Sequence, residues 1–510
     1  MASYILRRIL VSILILLAAS FLMYMLVALS SNPLQDLQGT NNPNAPQLIA
    51  ARIKLLNLDV APPLRWLMWL GGAAGCLVPF ANSCNLGVTI SNAPVADLLP
   101  QAMASTVQLV TIALVLAIAL GLIVGIATAL RQYSGFDTTV TFISFFLFSL
   151  PAFLVAVLLK EFLAIGFNNF LEHPVIPVGI ALATGVVMGG IWMAIVGGAW
   201  PRRWMIFGIS GGVTAAVMLA MSLSDWFLTP GLGIAGVALL SAGAGFIVVY
   251  LIAGLRTRQA WITAAVNVGL AVVLYYPLQP LFAVSSFGTI VILAVVALVV
   301  GAASGWLIGT TDKSQDVRIG IFVAAFSGAF VLIDRYMQAW PQYLIDTGGR
   351  PLATVGSSTP GLDGDVWVSG VDTFTHMLLP TVALLLISFA GYTRYARSGM
   401  LETLSQDYIR TARAKGLPER VVVVRHAFRN MLIPITTLVA FDIGALLGGA
   451  VITETVFGIP GMGQLFQAGL QRGDLNPVMG YFIVIAFMAI LFNFLADLAY
   501  AALDPRVRVK

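Results

Sequence analysis

Charge is scarce in this chain. Asp, Glu, Lys and Arg make up 10% of its 510 residues, against about 25% in a soluble globular domain. So few charges cannot clothe a water-exposed surface, and the solvent is therefore lipid. Cysteine is nearly missing too. Cys76 and Cys84 are the only two, histidines number three, and no Cys-x-x-Cys occurs, so no structural metal site is expected. None of the five lysines (54, 160, 313, 415 and 510) follows a glycine. That removes the Gly-Lys pair of a phosphate-binding loop, and with it nucleotide hydrolysis by that route. What fills the chain instead is hydrophobic residues, 59% of the total, with a mean hydropathy of +0.94. The apolar runs are about twenty residues long and do not alternate with polar ones, which points to helices and away from a barrel.

Twelve stretches reach spanning length, roughly 9–29, 101–130, 139–159, 177–199, 205–224, 232–254, 261–281, 287–309, 319–333, 377–393, 430–453 and 478–500. The first follows Arg7-Arg8. It outlasts the roughly 7–15 apolar residues of a signal peptide, so it reads as a membrane helix that starts inside. On that topology the cytoplasmic loops hold 20 of the 27 Lys and Arg. These are Arg7, Arg8, Arg131, Arg202, Arg203, Arg256, Arg258, Lys313, Arg318, eight between Arg394 and Arg429, and Arg506, Arg508 and Lys510. Arg52, Lys54, Arg65, Lys160, Arg335, Arg350 and Arg472 fall outside, although the outside segments are longer in total. Reversing the topology or losing one span destroys this asymmetry. The expectation is an all-α polytopic membrane protein of about twelve transmembrane helices with both termini cytoplasmic. The basic pI near 9.2 is then a result of topology and calls for no nucleic acid.

Three outside segments are long: about 30–100, 339–375 and 454–477. The first, rich in Asn, Pro and Leu, predicts a small folded cap. Cys76 and Cys84 both lie in it, on the oxidising side, where a disulfide or two unpaired thiols would fit. From 171 to 338 the texture changes. Loops shrink to a few residues, and the helices carry Gly and Ala in runs such as Val187-Met-Gly-Gly-Ile-Trp192 and Ala242-Gly-Ala-Gly-Phe246. Small residues let helices pack closely in lipid. Six spans in this stretch leave the flanking topology unchanged, so 171–338 reads as an inserted six-helix bundle.

The most informative segment is the cytoplasmic loop at about 400–430. Asp407-Tyr-Ile-Arg-Thr-Ala-Arg-Ala-Lys-Gly416 is basic, helix-prone and ended by a glycine, and Met431-Leu-Ile-Pro434 opens the next span. This loop resembles that of permease subunits of ATP-binding-cassette importers, and within them the first permease of the dipeptide/oligopeptide/nickel group. The family signature is Glu-Ala-Ala, three residues, Gly, nine residues, then Ile-x-Leu-Pro. Here Arg410-Thr-Ala412 stands in the Glu-Ala-Ala place, Gly416 is the glycine and Leu432-Ile-Pro434 stands near the closing motif. The missing Glu fits the peptide group, where Arg-Ala-Lys-Gly is kept. The N-terminus Met1–Leu10, Asn85–Ser91, Pro94-Val95, Thr106–Leu109, Ser149–Phe153, His376–Pro380, Thr453–Gly463 and Asp504-Pro505-Arg506 also resemble the group. Ser31-Asn32-Pro33 departs from the usual Gly-Asp-Pro. The likeness covers about 1–170 and 339–510, and 171–338 has no counterpart in the six-span plan.

The resemblance implies a six-helix type I importer core. Its first part is 1–170, with spans one to three and the cap. Its second is 339–510, with spans ten to twelve. It implies a bacterial inner (plasma) membrane, two ATP-binding subunits, a second permease, and an extracytoplasmic substrate-binding protein. This chain would bind no cofactor; ATP and Mg would sit on the partner ATPases. A coupling helix would dock on an ATPase through Asp407, Arg410, Thr411, Ala412, Arg413, Ala414, Lys415, Gly416, Arg420, Arg425, His426, Arg429, Asn430 and Pro434. The same arginines also suit anchoring to anionic lipid. Peptides are the implied cargo, with nickel chelates, haem or another small solute as alternatives. Asp442 lies inside a span, either as a pathway residue or hydrogen-bonded to a neighbouring helix. Glu454, at the outer end, suits a gate or a contact to the binding protein. A stand-alone ion-coupled carrier is the rival class. It predicts inverted repeats and several buried charges, and it leaves the 407–434 loop unexplained.

Overall fold

The computed structural model describes residues 2–38, 43–76, 84–255, 257–310 and 312–503. Arg256, the Asp504-Pro505-Arg506 motif, Arg508 and Lys510 lie outside the described residues, as do the side chains of Arg7 and Arg8. No strand occurs among the described residues. The helices in order are α1 (Ala2–Ser30), α2 (Ala45–Leu55), α3 (Pro62–Gly75), α4 (Val95–Leu130), α5 (Gly135–Ser149), α6 (Ala152–Leu158) and α7 (Gly166–Glu172), with a π-helical stretch Leu159–Ile165 between the last two. Then come α8 (Val178–Val196), α9 (Trp200–Leu223), α10 (Gly233–Ile252), α11 (Arg258–Ala283), α12 (Phe287–Ile308) and α13 (Lys313–Asp346). The chain continues with α14 (Val366–Leu404), α15 (Asp407–Ala414), α16 (Glu419–Val421), a second π stretch Val422–Phe428, α17 (Arg429–Phe457), α18 (Met462–Arg472) and α19 (Leu475–Leu503).

Among the described residues, eleven helical segments are long and apolar enough to cross a membrane. The expected span 430–453 falls within α17, whose 29 residues measure about 43 Å. The chain is an all-α polytopic membrane protein. One span was misplaced. The expected 139–159 is not a single helix: α5 stops at Ser149, Leu150 turns extended (ψ 131°), and Pro151 caps α6. Proline has no N–H to give and forces its predecessor out of the helical region. The spanning segment is instead Ala152–Glu172. Helices α13 and α14 run 34 and 39 residues, well past the apolar stretches 319–333 and 377–393. Hydropathy marks only the part in hydrocarbon.

Two compact units divide the chain. One comprises Met1–Ala164, Thr354–Ser357 and Met377–Lys510, the other Ile165–Ala353 and Ser358–His376. In the first, the segment after α1 folds back as α2, α3 and a turn closed by a bridge between Val88 and Pro94. Cys76 and Cys84 are disulfide-bonded there. Trp69, Ala73 and Leu86 bury against Tyr24, Val95, Leu99, Met462 and Met479, so the cap packs on its own spans.

In the second unit, consecutive helices meet at small residues. Gly185 and Gly189 of α8 face Gly211 and Phe207 of α9. Gly301 and Gly305 of α12 face Gly320 and Asp316 of α13, closely enough that an added Cβ would overlap backbone. This is the packing that lipid demands, because apolar surface alone gives no drive to associate there. Val237, Tyr275 and Val331 form one core layer with Tyr343 and Trp367, and Val249, Ala260, Ile319 and Val323 form another. The unit's two ends meet at Asn168. Its side chain donates to the Leu352 carbonyl (2.8 Å) and accepts from the Leu352 N–H (3.0 Å).

Candidate functional site

Helix α15 is amphipathic by spacing. Ile409 and Ala412, three apart, are 0% and 7% exposed and pack on Met400, Val422, Ala427 and Met431. Asp407, Arg410, Thr411, Arg413, Ala414 and Lys415 remain on the open side. The helix ends in a Schellman turn. Gly416 N–H donates to the Arg413 carbonyl (2.9 Å) and Leu417 N–H to the Ala412 carbonyl (3.4 Å). The turn needs a left-handed residue, and Gly416 supplies it at φ +73°. No atom lies within 4 Å of a Cβ placed there, so the glycine serves the backbone and leaves an open surface at the tip.

The loop also holds itself together. Arg413 donates twice to Glu419, through Nε (3.1 Å) and a terminal nitrogen (2.5 Å). Hydrogen bonds from Arg413 hold the Glu419 carboxyl below its usual range. Asn430 donates to the Tyr408 hydroxyl (3.0 Å) and to the His426 carbonyl (3.0 Å), tying α15 to the start of α17. The Arg410–Asp407 pair at 3.5 Å is solvent-washed, its side chains 74% and 96% exposed, and contributes little. Of the residues read as the docking loop, Ala412 turns inward, Arg413 stays 44% exposed while pairing with Glu419, and Pro434 lies inside α17.

One level behind the loop, Arg397 of α14 grips Asp137 at the start of α5, with Nε at 2.6 Å and a terminal nitrogen at 2.9 Å. The Arg397 guanidinium holds the Asp137 carboxyl below its usual range. The same carboxylate accepts from the Tyr133 N–H (3.0 Å), and the Asp137 N–H donates to the N-cap Ser134 hydroxyl. Sequence reading missed this pair because 260 residues separate its members.

Glu454, read above as suited to a gate or a contact to the binding protein, lies in the last turn of α17 beside the start of α18. It is fully buried and accepts from the Thr106 hydroxyl (2.6 Å) and from the N–H groups of Gly463 (2.7 Å) and Gln464 (3.2 Å). Thr106 in turn accepts from the Met462 N–H (2.8 Å). A carboxylate at the first turn of α18 satisfies free amides and meets the positive end of the helix. A Cβ on Gly461 would overlap this carboxylate, which gives the Thr453–Gly463 motif a local reason. Lys160 donates to the Val456 carbonyl (3.1 Å) in the last turn of α17, where a cation is favoured. Asp442 is half-buried beside the Tyr392 hydroxyl of α14.

On the cap side, Asp474 accepts from the Ile90 N–H (2.8 Å), and Asn476 donates to the Val88 carbonyl (2.7 Å). Burial pushes the Asp474 carboxyl up. In the second unit, Asp372 accepts from Thr359 (2.6 Å) and Tyr343 (3.1 Å), and its backbone carbonyl meets His376 Nδ1 at 2.8 Å. The i,i+4 spacing of Asp372 and His376 on one helix brings the two side chains together.

Residues 336–509 match the family described as binding-protein-dependent transport system inner membrane component. Among curated relatives, the oligopeptide transport system permease protein OppB of Mycobacterium tuberculosis is 44% identical over 154 residues, 30% of this chain and 47% of the relative. The dipeptide transport system permease protein DppB of Escherichia coli is 46% identical over 140 residues, 28% of this chain and 41% of the relative. The chain thus spans less than half the length of these curated relatives.

Proposed function

From the match of residues 336–509 to the family described as binding-protein-dependent transport system inner membrane component, we propose that this chain is one permease subunit of an ATP-driven importer for di- and oligopeptides. Its partners on this reading are a similar permease, two ATP-binding subunits and an extracytoplasmic binding protein. Its home is a bacterial plasma membrane, with both termini in the cytoplasm. The disulfide in the 30–100 segment supports placing that cap on the oxidising side. ATP and Mg belong to the partner subunits. Nickel chelates, haem or another small solute are the alternative cargoes, and the peptide names of the relatives favour peptides.

The observation that carries the reading is the form of α15. It is a short helix with one face buried on its own chain and a polar face left open, ended by a glycine turn with nothing over it. A rigid knob of this kind can enter a cleft and pass a push from an ATPase to α14 and α17, which frame the loop. In such a rocking mechanism the bonds of Arg413 to Glu419 and of Asn430 to Tyr408 keep the knob in one piece while it moves. The exposed Asp407, Arg410, Arg413, Lys415, Arg420, Arg425 and Arg429 face outward toward a partner's side chains, with the basic ones suited to its carboxylates.

Co-purification tests this. The tagged chain is expressed beside its chromosomal neighbours, as wild type and as Gly416→Asp. ATPase subunits and a second permease should elute with wild type, and the ATPases should be lost from the variant. A chain that elutes alone and carries solute in liposomes without ATP would overturn the proposal in favour of a self-sufficient carrier.

A further inference from the structure

The second unit contains a cavity of about 450 Å³, within the size range of sites that hold small molecules. It is walled by Phe167 at the start of α7, by Trp226, Phe227 and Pro230 in the α9–α10 connection, by Tyr336 and Trp340 in α13, and by Phe374 in α14. Each belongs to one end of its span, the end shared by the α9–α10 and α13–α14 connections. This is the depth at which a bilayer passes from headgroup to chain, where aromatic rings collect.

The wall is built to be apolar. The indole N–H of Trp226 donates to the Gly231 carbonyl (3.0 Å) and that of Trp340 to the Phe227 carbonyl (3.1 Å). Both rings are thereby fixed with their polar atoms spent on the loop. Phe170 stacks edge-on against Phe227 at 5.0 Å and holds the wall from behind. One polar atom remains available. The Tyr336 hydroxyl has no hydrogen-bond partner among the described residues, while its ring lies across Gly370, which has no side chain to displace it. The rim includes Ile333 and Phe374, 48% and 60% exposed on spanning helices. The cavity therefore opens sideways toward hydrocarbon.

We propose that this cavity holds one acyl chain of a membrane phospholipid, with the chain's ester carbonyl accepting from Tyr336. A water-soluble solute would need convergent polar groups, and the wall supplies one hydroxyl. An acyl chain needs an apolar sleeve with a lateral entrance and a single donor near the headgroup level, and all three are present. The site would give the second unit a firmly held lipid, independent of the proposed transport cycle.

The test is photolabelling of the full chain in liposomes doped with a phospholipid bearing a diazirine on its acyl chain, followed by mapping of labelled peptides. Label should concentrate on the walls around Trp226, Met337 and Phe374. Met337→Trp, which fills the space, should lower this labelling roughly tenfold, the effect of losing about two buried methylenes of contact. Tyr336→Phe should lower it less, and Val273→Trp, on a lipid-facing surface elsewhere, not at all. If Met337→Trp does not fold, Ile333→Trp at the rim replaces it. Label spread evenly over all lipid-facing surfaces would overturn the proposal. So would labelling indifferent to the filling variants, or displacement of the lipid by an apolar tripeptide at micromolar concentration.

Discussion

Thr106 and Glu454 stand 348 residues apart in the chain and share a hydrogen bond of 2.6 Å, both fully buried. The Thr106 hydroxyl is used twice, giving to Glu454 and taking from the Met462 N–H. Removing either partner leaves a buried amide or carboxylate unmet. Thr106→Val should lower stability by about 2 kcal/mol and Glu454→Ala by more, since two further N–H groups lose their acceptor. Glu454→Gln should fall between wild type and Ala. Thermal unfolding of the detergent-purified protein reads all three. Equal stability of wild type and Glu454→Ala would refute the brace.

The Asp137–Arg397 pair should be costly to break singly. Asp137 is buried and Arg397 29% exposed, so Arg397→Ala leaves a carboxylate without its cation, at about 3 kcal/mol. The double change Asp137→Asn with Arg397→Met should cost less than the two single changes added. The pH sign follows from a folded Asp137 that sits below its ordinary value. Its contribution is complete above about pH 4 and is lost as pH falls through the folded value. Melting curves of wild type and Asp137→Asn should therefore converge in acid.

Asp474 behaves in the opposite sense. Burial raises its carboxyl despite the Ile90 N–H and the charges of Arg52 and Arg472. A folded state that holds a proton more tightly than the unfolded chain loses stability as pH rises from about 4 toward the folded value. Asp474→Asn keeps an acceptor for Ile90 and removes the charge. Its Tm should gain on wild type as pH rises from about 4. A difference that does not change with pH would count against the assignment.

The pairing of Asn168 with Leu352 predicts that the chain enters and leaves its second unit at neighbouring points. Excising residues 171–338 takes out six membrane helices, an even number, and so keeps the flanking topology. Transport should remain measurable in such a deletion. A deletion that still assembles with its partners and shows no transport would sink this expectation.

Much of this was legible from sequence for physical reasons. A bilayer demands long uniform apolar runs, so α8 and α10 to α12 were located within a few residues, and α1, α4 and α9 by their C-terminal ends. Gly416 could be read as a helix stop, since few other residues enter the left-handed region. The failures have one common cause. Composition cannot show that Leu150–Pro151 breaks a span internally, because the flanking residues are equally apolar. It cannot show that Ala412 turns inward or that Arg413 already has Glu419, since both depend on how α15 lies on Met400 and Met431. For Glu454 the sequence offers only its position at a span end. Only the return of α18 reveals the amides that consume its oxygens.

The π-helical stretch Val422–Phe428 leads directly into α17. Its hydrogen bonds reach five residues back instead of four, so each turn stores more chain than an α-turn would. Relaxing that stretch to α geometry would lengthen and rotate the segment between α15 and the membrane, with its backbone hydrogen bonds re-formed and Val422 and Ala427 repacked. The approach to α17 thus holds spare backbone on which a displacement of α15 can draw.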